Sequence, residues 1–284
     1  MQELIKEKPM KKTGNIDLFV EVDLEGVSGV VYGGYGLPYA GGERKNMELL
    51  MTLEVNALVD GARQAGARRV VLEQSHPLQR ERLVPGCEVV YDAAELPNSA
   101  ALAFLGRHAR AGVSDAVFSH TGSCRSVLGL RVNGTEYGEF GLFAALAGSY
   151  GVPTIFVSGD AAAAREARDL IPGIETVAVS EGFGNHGALC ASPLRAHRMI
   201  REGIERALAR RGTIAPLVVP GPVTVEYTFL YPAQAARLAK LPGVSLKDAR
   251  TAIFTSSNYQ EAYQMYRTAC LPLIWWDCPR APGI

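Results

Sequence analysis

The sequence predicts an α/β protein, with a mixed or mostly parallel sheet flanked by helices and a smaller α+β portion at the C-terminus. Three observations predict it. Short apolar runs rich in strand formers alternate with longer segments of helical period through most of the chain. Several of those runs end at a carboxylate or a histidine, the position where open α/β sheets collect ligands. A proline-rich segment over 213–222 then separates this region from a shorter tail of strand, helix, strand and helix.

The elements follow in order. Ile16-Asp17-Leu18-Phe19-Val20-Glu21-Val22 reads as the first strand and runs into Asp23-Leu24-Glu25-Gly26. Side chains at i and i+2 leave the same face of a strand, so Asp23 and Glu25 point the same way. A Gly/Tyr-rich loop over 30–42 is long enough for a flap or a subunit contact. Residues 43–66 read as a helix, because Met47, Leu50, Met51, Val55, Leu58 and Ala62 recur at helical spacing and Gly66 supplies the stop. Strands over 69–73 and 100–105 lead into Gln74-Ser75-His76-Pro77 and Gly106-Arg107-His108, and a third over 116–118 leads into Ser119-His120. Residues 127–132, the turn Asn133-Gly134 and Glu136-Tyr137 form a hairpin, since Asn-Gly accepts the positive φ angles of a type I′ turn. A helix opens at Glu139 and runs to about 150, and a strand covers 153–157. Asp160 is placed to cap an Ala-rich helix that ends near Pro172. Ser192 and Pro193 are the N-cap and first position of a helix to about Arg211. After the linker come a strand over 223–230, a short helix, a strand near 251–255 and a helix from Tyr259. The expected organisation is a flexible leader over 1–15, an α/β domain carrying the candidate site over 16–212, and a smaller α+β domain over 213–284.

Composition narrows the function. Lys plus Arg equals Asp plus Glu at 29 each, so nothing recommends nucleic acid or an anionic membrane as a partner, and weak charge repulsion favours self-association. The five cysteines are an odd number without close pairing and contain no C-x-x-C, which argues against a zinc-thiolate knuckle and a disulfide framework. No apolar run approaches the roughly 20 residues of a membrane span, and the Lys-rich start lacks a signal-peptide core, so the expected compartment is the cytoplasm. The Gly-rich stretch Gly33-Gly34-Tyr35-Gly36 does not open a helix after a strand and is no dinucleotide fingerprint.

What remains is Asp23, Glu25, His76, His108, His120 and Glu139: carboxylates and imidazoles without cysteine, a donor set suited to zinc or another first-row metal. Each has a plainer reading by itself. Asp23 and Glu25 could cap loops or pair with Arg, a lone histidine is more often structural, and Glu139 could be a first-turn helix acid. A Cys124/His120 nucleophile pair is disfavoured, since a metal site already supplies the activated water. His186 and His197 read as loop and helix-surface residues, and Trp275-Trp276 as packing or a subunit contact.

The detailed strings go further. Val22-Asp23-Leu24-Glu25-Gly26-Val27-Ser28-Gly29 resembles the opening motif of the DppA-type D-aminopeptidases, the M55 family of zinc metallopeptidases. The resemblance continues through Met51-Thr52-Leu53-Glu54-Val55-Asn56-Ala57, Ser75-His76 and Gly106-Arg107-His108-Ala109-Arg110. Ser119-His120, Gly138-Glu139-Phe140-Gly141-Leu142, Val157-Ser158-Gly159-Asp160 and Ser192-Pro193 extend it in unbroken order. It implies two Zn2+ per chain, with Asp23 bridging, Glu25 and His76 completing one site, and His108 and Glu139 the other. It also implies a catalytic, non-ligating role for His120, a ring-like homo-oligomer (a pentamer or decamer), and removal of N-terminal residues from short peptides, typically those with D-amino acids. Two alternatives stay open: an amidohydrolase of the same family acting on a small non-peptide amide, and a non-catalytic ring-forming binding protein. The chain departs from the family at Gln74, where relatives usually have Asp, at Pro77, and at Thr121-Gly122-Ser123-Cys124 after His120. If that Asp orients the imidazole, Gln74 alters the support of one zinc.

Overall fold

The computed structural model describes residues 17–31, 42–184 and 187–276, with side chains described from residue 45 in the first helix and to residue 274 in the last. The expected leader, most of the 30–42 loop, His186 and the Trp275-Trp276 side chains lie outside the described residues.

The main sheet has seven strands: β1 (Leu18–Val22), β2 (Val70–Gln74), β3 (Cys87–Val90), β4 (Leu102–Arg107), β7 (Thr154–Asp160), β8 (Glu175–Gly182) and β9 (Ala188–Cys190), in the spatial order β3-β2-β1-β4-β7-β8-β9. Every pairing is parallel except β8 with β9. Consecutive residues of β1, β4 and β7 are buried throughout, as expected of strands covered on both faces. Two helical layers provide the cover. α1 (Gly42–Gln64) packs on α4 (Pro193–Arg210), and α2 (Glu139–Ser149) packs on α3 (Ala161–Leu170).

A second, antiparallel sheet has the order β11-β12-β10-β5-β6. The C-terminal stretch supplies β10 (Val223–Phe229), β11 (Val244–Leu246) and β12 (Thr251–Ser256); the hairpin β5 (Val127–Val132) and β6 (Thr135–Glu136) supplies the rest. Val225 pairs with Val132 and Tyr227 with Leu130, so the sheet straddles the expected boundary at 212–213. The hairpin turn has the predicted conformation, with φ of 48° at Asn133 and 82° at Gly134. α5 (Pro232–Leu238) packs on this sheet, while α6 (Tyr259–Met265) continues through a π-helical turn, Tyr266–Cys270, into α7 (Leu271–Trp276).

Most expected elements occur within a residue or two of their predicted bounds. Ser192 occupies the N-cap of α4 as predicted, although its hydroxyl makes no capping bond. One expectation is corrected: residues 116–118 are a turn, not a strand. Phe118 has a φ of 49°, a left-handed conformation incompatible with a ladder, and Asp160 Oδ2 accepts a 2.9 Å hydrogen bond from Val117 N. Asp160 thus does two jobs. Its Oδ1 also accepts from Ala163 N at 2.6 Å, the predicted cap of α3.

Candidate metal centre

The strand order brings the candidate residues together. β2, β1 and β4 are neighbours and parallel, so the ends that carry His76, Asp23 and His108 lie on one edge of the sheet. Glu139 is the first residue of α2, and His120 sits in the loop that follows β4.

Two glycines allow the strands to approach this closely. A Cβ on Gly26 would stand 2.1 Å from the Arg107 carbonyl oxygen, and one on Gly106 would stand 2.1 Å from the Asp23 carbonyl oxygen. Between them Gly26 N donates to Gly106 O at 2.7 Å. Gly106 has a φ of 75°, and the β4–β7 register is irregular between Phe104 and Arg107. That irregularity matters, because adjacent side chains of a regular strand point to opposite faces. Here both Arg107 and His108 reach the site.

All six predicted residues converge. His76 Nε2 lies 3.2 Å from Asp23 Oδ1 and 3.5 Å from Glu25 Oε2. His108 Nε2 lies 3.5 Å from Asp23 Oδ2 and 3.7 Å from Glu139 Oε2, and His120 Nε2 lies 3.7 Å from Glu139 Oε1. Two ligands on one tetrahedral zinc, at bond lengths near 2.0–2.1 Å, sit about 3.3 Å apart. Asp23 turns Oδ1 toward His76 and Oδ2 toward His108. Asp23, Glu25 and His108 form one group compact enough to hold an ion, and His108, His120 and Glu139 form another.

Backbone carbonyls orient two of the imidazoles. His108 Nδ1 is 2.9 Å from Ala109 O and His120 Nδ1 is 2.8 Å from Phe118 O. A carbonyl only accepts, so Nδ1 carries a proton and Nε2 faces the site. His108 Nε2 is buried and finds no hydrogen-bond partner among the described residues. A buried nitrogen of that kind, faced by carboxylates at ligand spacing, fits zinc.

The electrostatics agree. Burial opposes charge on every group, yet Arg107, His76 and His108 hold the Asp23 carboxyl well below the usual range. His108, His120 and Arg107 do the same for Glu139, which also accepts from Gly122 N at 2.8 Å. Burial and the Asp23 charge push Glu25 up to about 7. Burial opposes protonation of His76 and His108, but their carboxylate neighbours carry them to about 9 and about 10. A cation at either position would replace those protons. His120 goes the other way, to about 4, through burial and the charge of His108, whose ring it stacks on with centroids 3.9 Å apart.

These groups line a cavity of about 450 Å³ whose far wall comes from the C-terminal helices through Tyr263, Tyr266 and Arg267. Its charged lining includes five residues the sequence did not single out as site residues: Arg107, Glu21, Glu73, Asp92 and Arg267. Arg107 is 3% exposed, with Nη1 2.5 Å from Asp23 Oδ2 and 3.1 Å from Glu139 Oε2, and Nη2 2.7 Å from Glu21 Oε1. The pairing of Asp23 with an arginine, its plainer reading, therefore holds alongside the ligand geometry. Glu21 was legible as a charge within an apolar strand, in step with Asp23 and Glu25. Gln74 turns its Oε1 toward Arg80, at 3.4 Å. His197, the helix-surface expectation, is half-buried on α4 away from this cavity's lining.

The family model for D-aminopeptidases, peptidase family M55, matches residues 16–268. A D-aminopeptidase of Bacillus subtilis (strain 168) is 32% identical over 270 residues, which are 87% of this chain and 94% of that protein. Among solved structures, the Zn-dependent D-aminopeptidase DppA from Bacillus subtilis, described as a self-compartmentalizing protease, matches with a TM-score of 0.85 at 28% identity. The match covers 94% of this chain and 100% of that one. This chain is accordingly a hydrolase of the M55 peptidase family, the D-aminopeptidases.

Proposed function

We propose that the protein is a binuclear zinc aminopeptidase that removes N-terminal residues, D-amino acids in particular, from short peptides or amides. The observation that carries the reading is the convergence of Asp23, Glu25, His76, His108 and Glu139 at ligand spacing on one cavity, with His120 beside them. Asp23 would bridge, Glu25 and His76 would complete one position, and His108 and Glu139 the other. Zinc held there would supply Lewis acidity and a nucleophilic water at neutral pH.

The chain's own groups supply the rest. His120 is neutral, fixed by its Nδ1 bond to Phe118 O and aimed by Nε2 at the cavity, so it can take a proton there and pass it to the leaving amine. Glu139 holds its partner through one oxygen and Gly122 N through the other side of its carboxylate, which keeps the loop carrying His120 in register with α2. A ring-like homo-oligomer in the cytoplasm is part of the same proposal, and the neighbour's self-compartmentalizing character supports the self-association. Phe183, Leu189 and Leu194, all exposed near the edge strand β9, offer apolar surface for it.

One observation favours a second reading, an amidohydrolase acting on a small non-peptide amide: Glu21, Glu73, Arg107 and Arg267 make the cavity wall strongly charged. The test is zinc content per chain together with a panel of D- and L-aminoacyl p-nitroanilides and non-peptide amides. Two zinc ions with chelator-sensitive turnover of D-aminoacyl substrates supports the proposal. Two ions with turnover of non-peptide amides alone transfers it to the second reading, and absence of zinc uptake refutes both. His120→Ala should keep its zinc and lose about 10²–10⁴-fold in kcat; unchanged turnover in the zinc-loaded variant removes His120 from the mechanism.

A further inference from the structure

The two halves of the site are not equivalent. Asp23 Oδ1, Glu25 and His76 face one another, and among the described residues Asp23 Oδ1 accepts from Leu24 N at 2.9 Å and from no arginine. The other half differs. The two oxygens that face His108 Nε2 are Asp23 Oδ2 and Glu139 Oε2, and these are the same two that accept from Arg107 Nη1. An arginine serving only to fill the core would pair with its counterion and stop there. Arg107 has a buried carboxyl partner, Glu21, on Nη2, and spends its other terminal nitrogen on both oxygens that face His108.

We infer that Arg107 is a built-in competitor for one metal position: its guanidinium shares both carboxylate oxygens of the His108 half, so zinc binds there more weakly than at the Asp23–Glu25–His76 half. Glu21 is the positioning residue that holds the guanidinium in place through its 2.7 Å bond from Nη2. A guanidinium is permanently protonated and cannot yield to a metal by losing a proton, as an imidazolium can. The cost to the second ion is therefore set by Coulomb repulsion from the adjacent guanidinium. The inference rests on the zinc reading above and adds an order to it: the His76 half fills first.

The test is calorimetric titration of zinc into the chelator-stripped, dialysed full-length protein at one pH, which reads binding and not turnover. Wild type should bind two ions in steps separated on the order of 10–100-fold in Kd, the range over which groups behind the ligands tune metal affinity. The double variant Arg107→Met with Glu21→Gln, which removes the guanidinium and leaves a neutral group beside it, should draw the weak step toward the strong one and leave the strong step in place. Glu21→Gln alone keeps the guanidinium and an acceptor for Nη2, so the weak step should stay near its wild-type affinity. A weak step strengthened by the double variant and unmoved by Glu21→Gln is the signature a merely structural role would not give. Two equal steps in wild type overturn the inference while leaving the zinc reading intact, and so does a weak step that loses affinity in the double variant. If the double variant does not fold, the wild-type separation decides alone. No zinc uptake by wild type refutes the underlying metal reading instead.

Discussion

Glu54 sets a pH limit on the stability of the site's supporting loop. It lies on α1, is 2% exposed, and its Oε1 accepts a 2.9 Å hydrogen bond from Ser28 N, in the turn that follows Asp23 and Glu25. Burial pushes its carboxyl from the ordinary 4.5 up to about 8, with the Ser28 bond opposing only part of the shift. Between those values the folded chain binds a proton that the unfolded chain has released. Stability must then fall as pH rises through this window and level off above it. A shift of that size corresponds to about 3–5 kcal/mol across the window. Glu54→Gln keeps the acceptor for Ser28 and cannot ionise. It should match wild type at pH 5 and exceed it by about 3 kcal/mol at pH 8.5, or roughly 5–10 °C in Tm for a chain of this size. Thermal melts of both proteins at the two pH values, at one protein concentration and in chelator, read the difference directly; the site histidines titrate in both and cancel. A pH-independent gap between the two proteins would refute a buried, neutral Glu54.

Three further perturbations follow from the geometry. Gly106→Ala places a Cβ 2.1 Å from Asp23 O at a φ of 75°, and should cost about 3 kcal/mol or more in denaturant melts together with loss of zinc from the site. Asp160→Ala leaves Val117 N and Ala163 N without their acceptor; it should cost about 2–4 kcal/mol and lower kcat beyond what stability explains, since the freed turn carries Phe118 and His120. Stripping zinc with chelator should lower Tm by roughly 5–10 °C when free zinc had stood near 100 times Kd, and re-addition should restore it. A melt indifferent to zinc would contradict the proposed ligand set.

The sequence carried much of this architecture because its signals are local. Alternating strands and helices, the Asn133-Gly134 turn, the Asp160 cap and the Pro193 helix start each announce themselves within a few residues. Losses came where the decisive contact is distant or the chain is half-exposed. β3 and β9 have few buried positions and no clean alternation, and β8 departs from alternation toward its end. Residues 116–118 are apolar enough for a strand, yet Asp160, far along the chain, pins them as a turn. The pairing of β5 with β10 joins segments that no periodicity connects.

At the site, Asp23, Glu25, His76 and His108 were legible as charges and imidazoles at strand ends, while Glu139 at a helix start and His120 in a loop took their assigned roles from the family resemblance. Arg107 was hidden by its own neighbour. In a regular strand it would point away from His108, and only the irregularity at Gly106 turns both toward the cavity. The arginine and Glu21 belong to one electrostatic unit that joins two strands, which a linear reading meets as two unrelated charges.

The central claim is that these side chains hold zinc, and the most direct measurement is anomalous diffraction above and below the zinc absorption edge from crystals grown with zinc. The account predicts two peaks. One should lie about 2.0–2.2 Å from Asp23, Glu25 and His76, and the other at the same range from Asp23, His108 and Glu139, with the lower occupancy at limiting zinc. Anomalous density confined to other residues, or none in this cavity, would contradict the account.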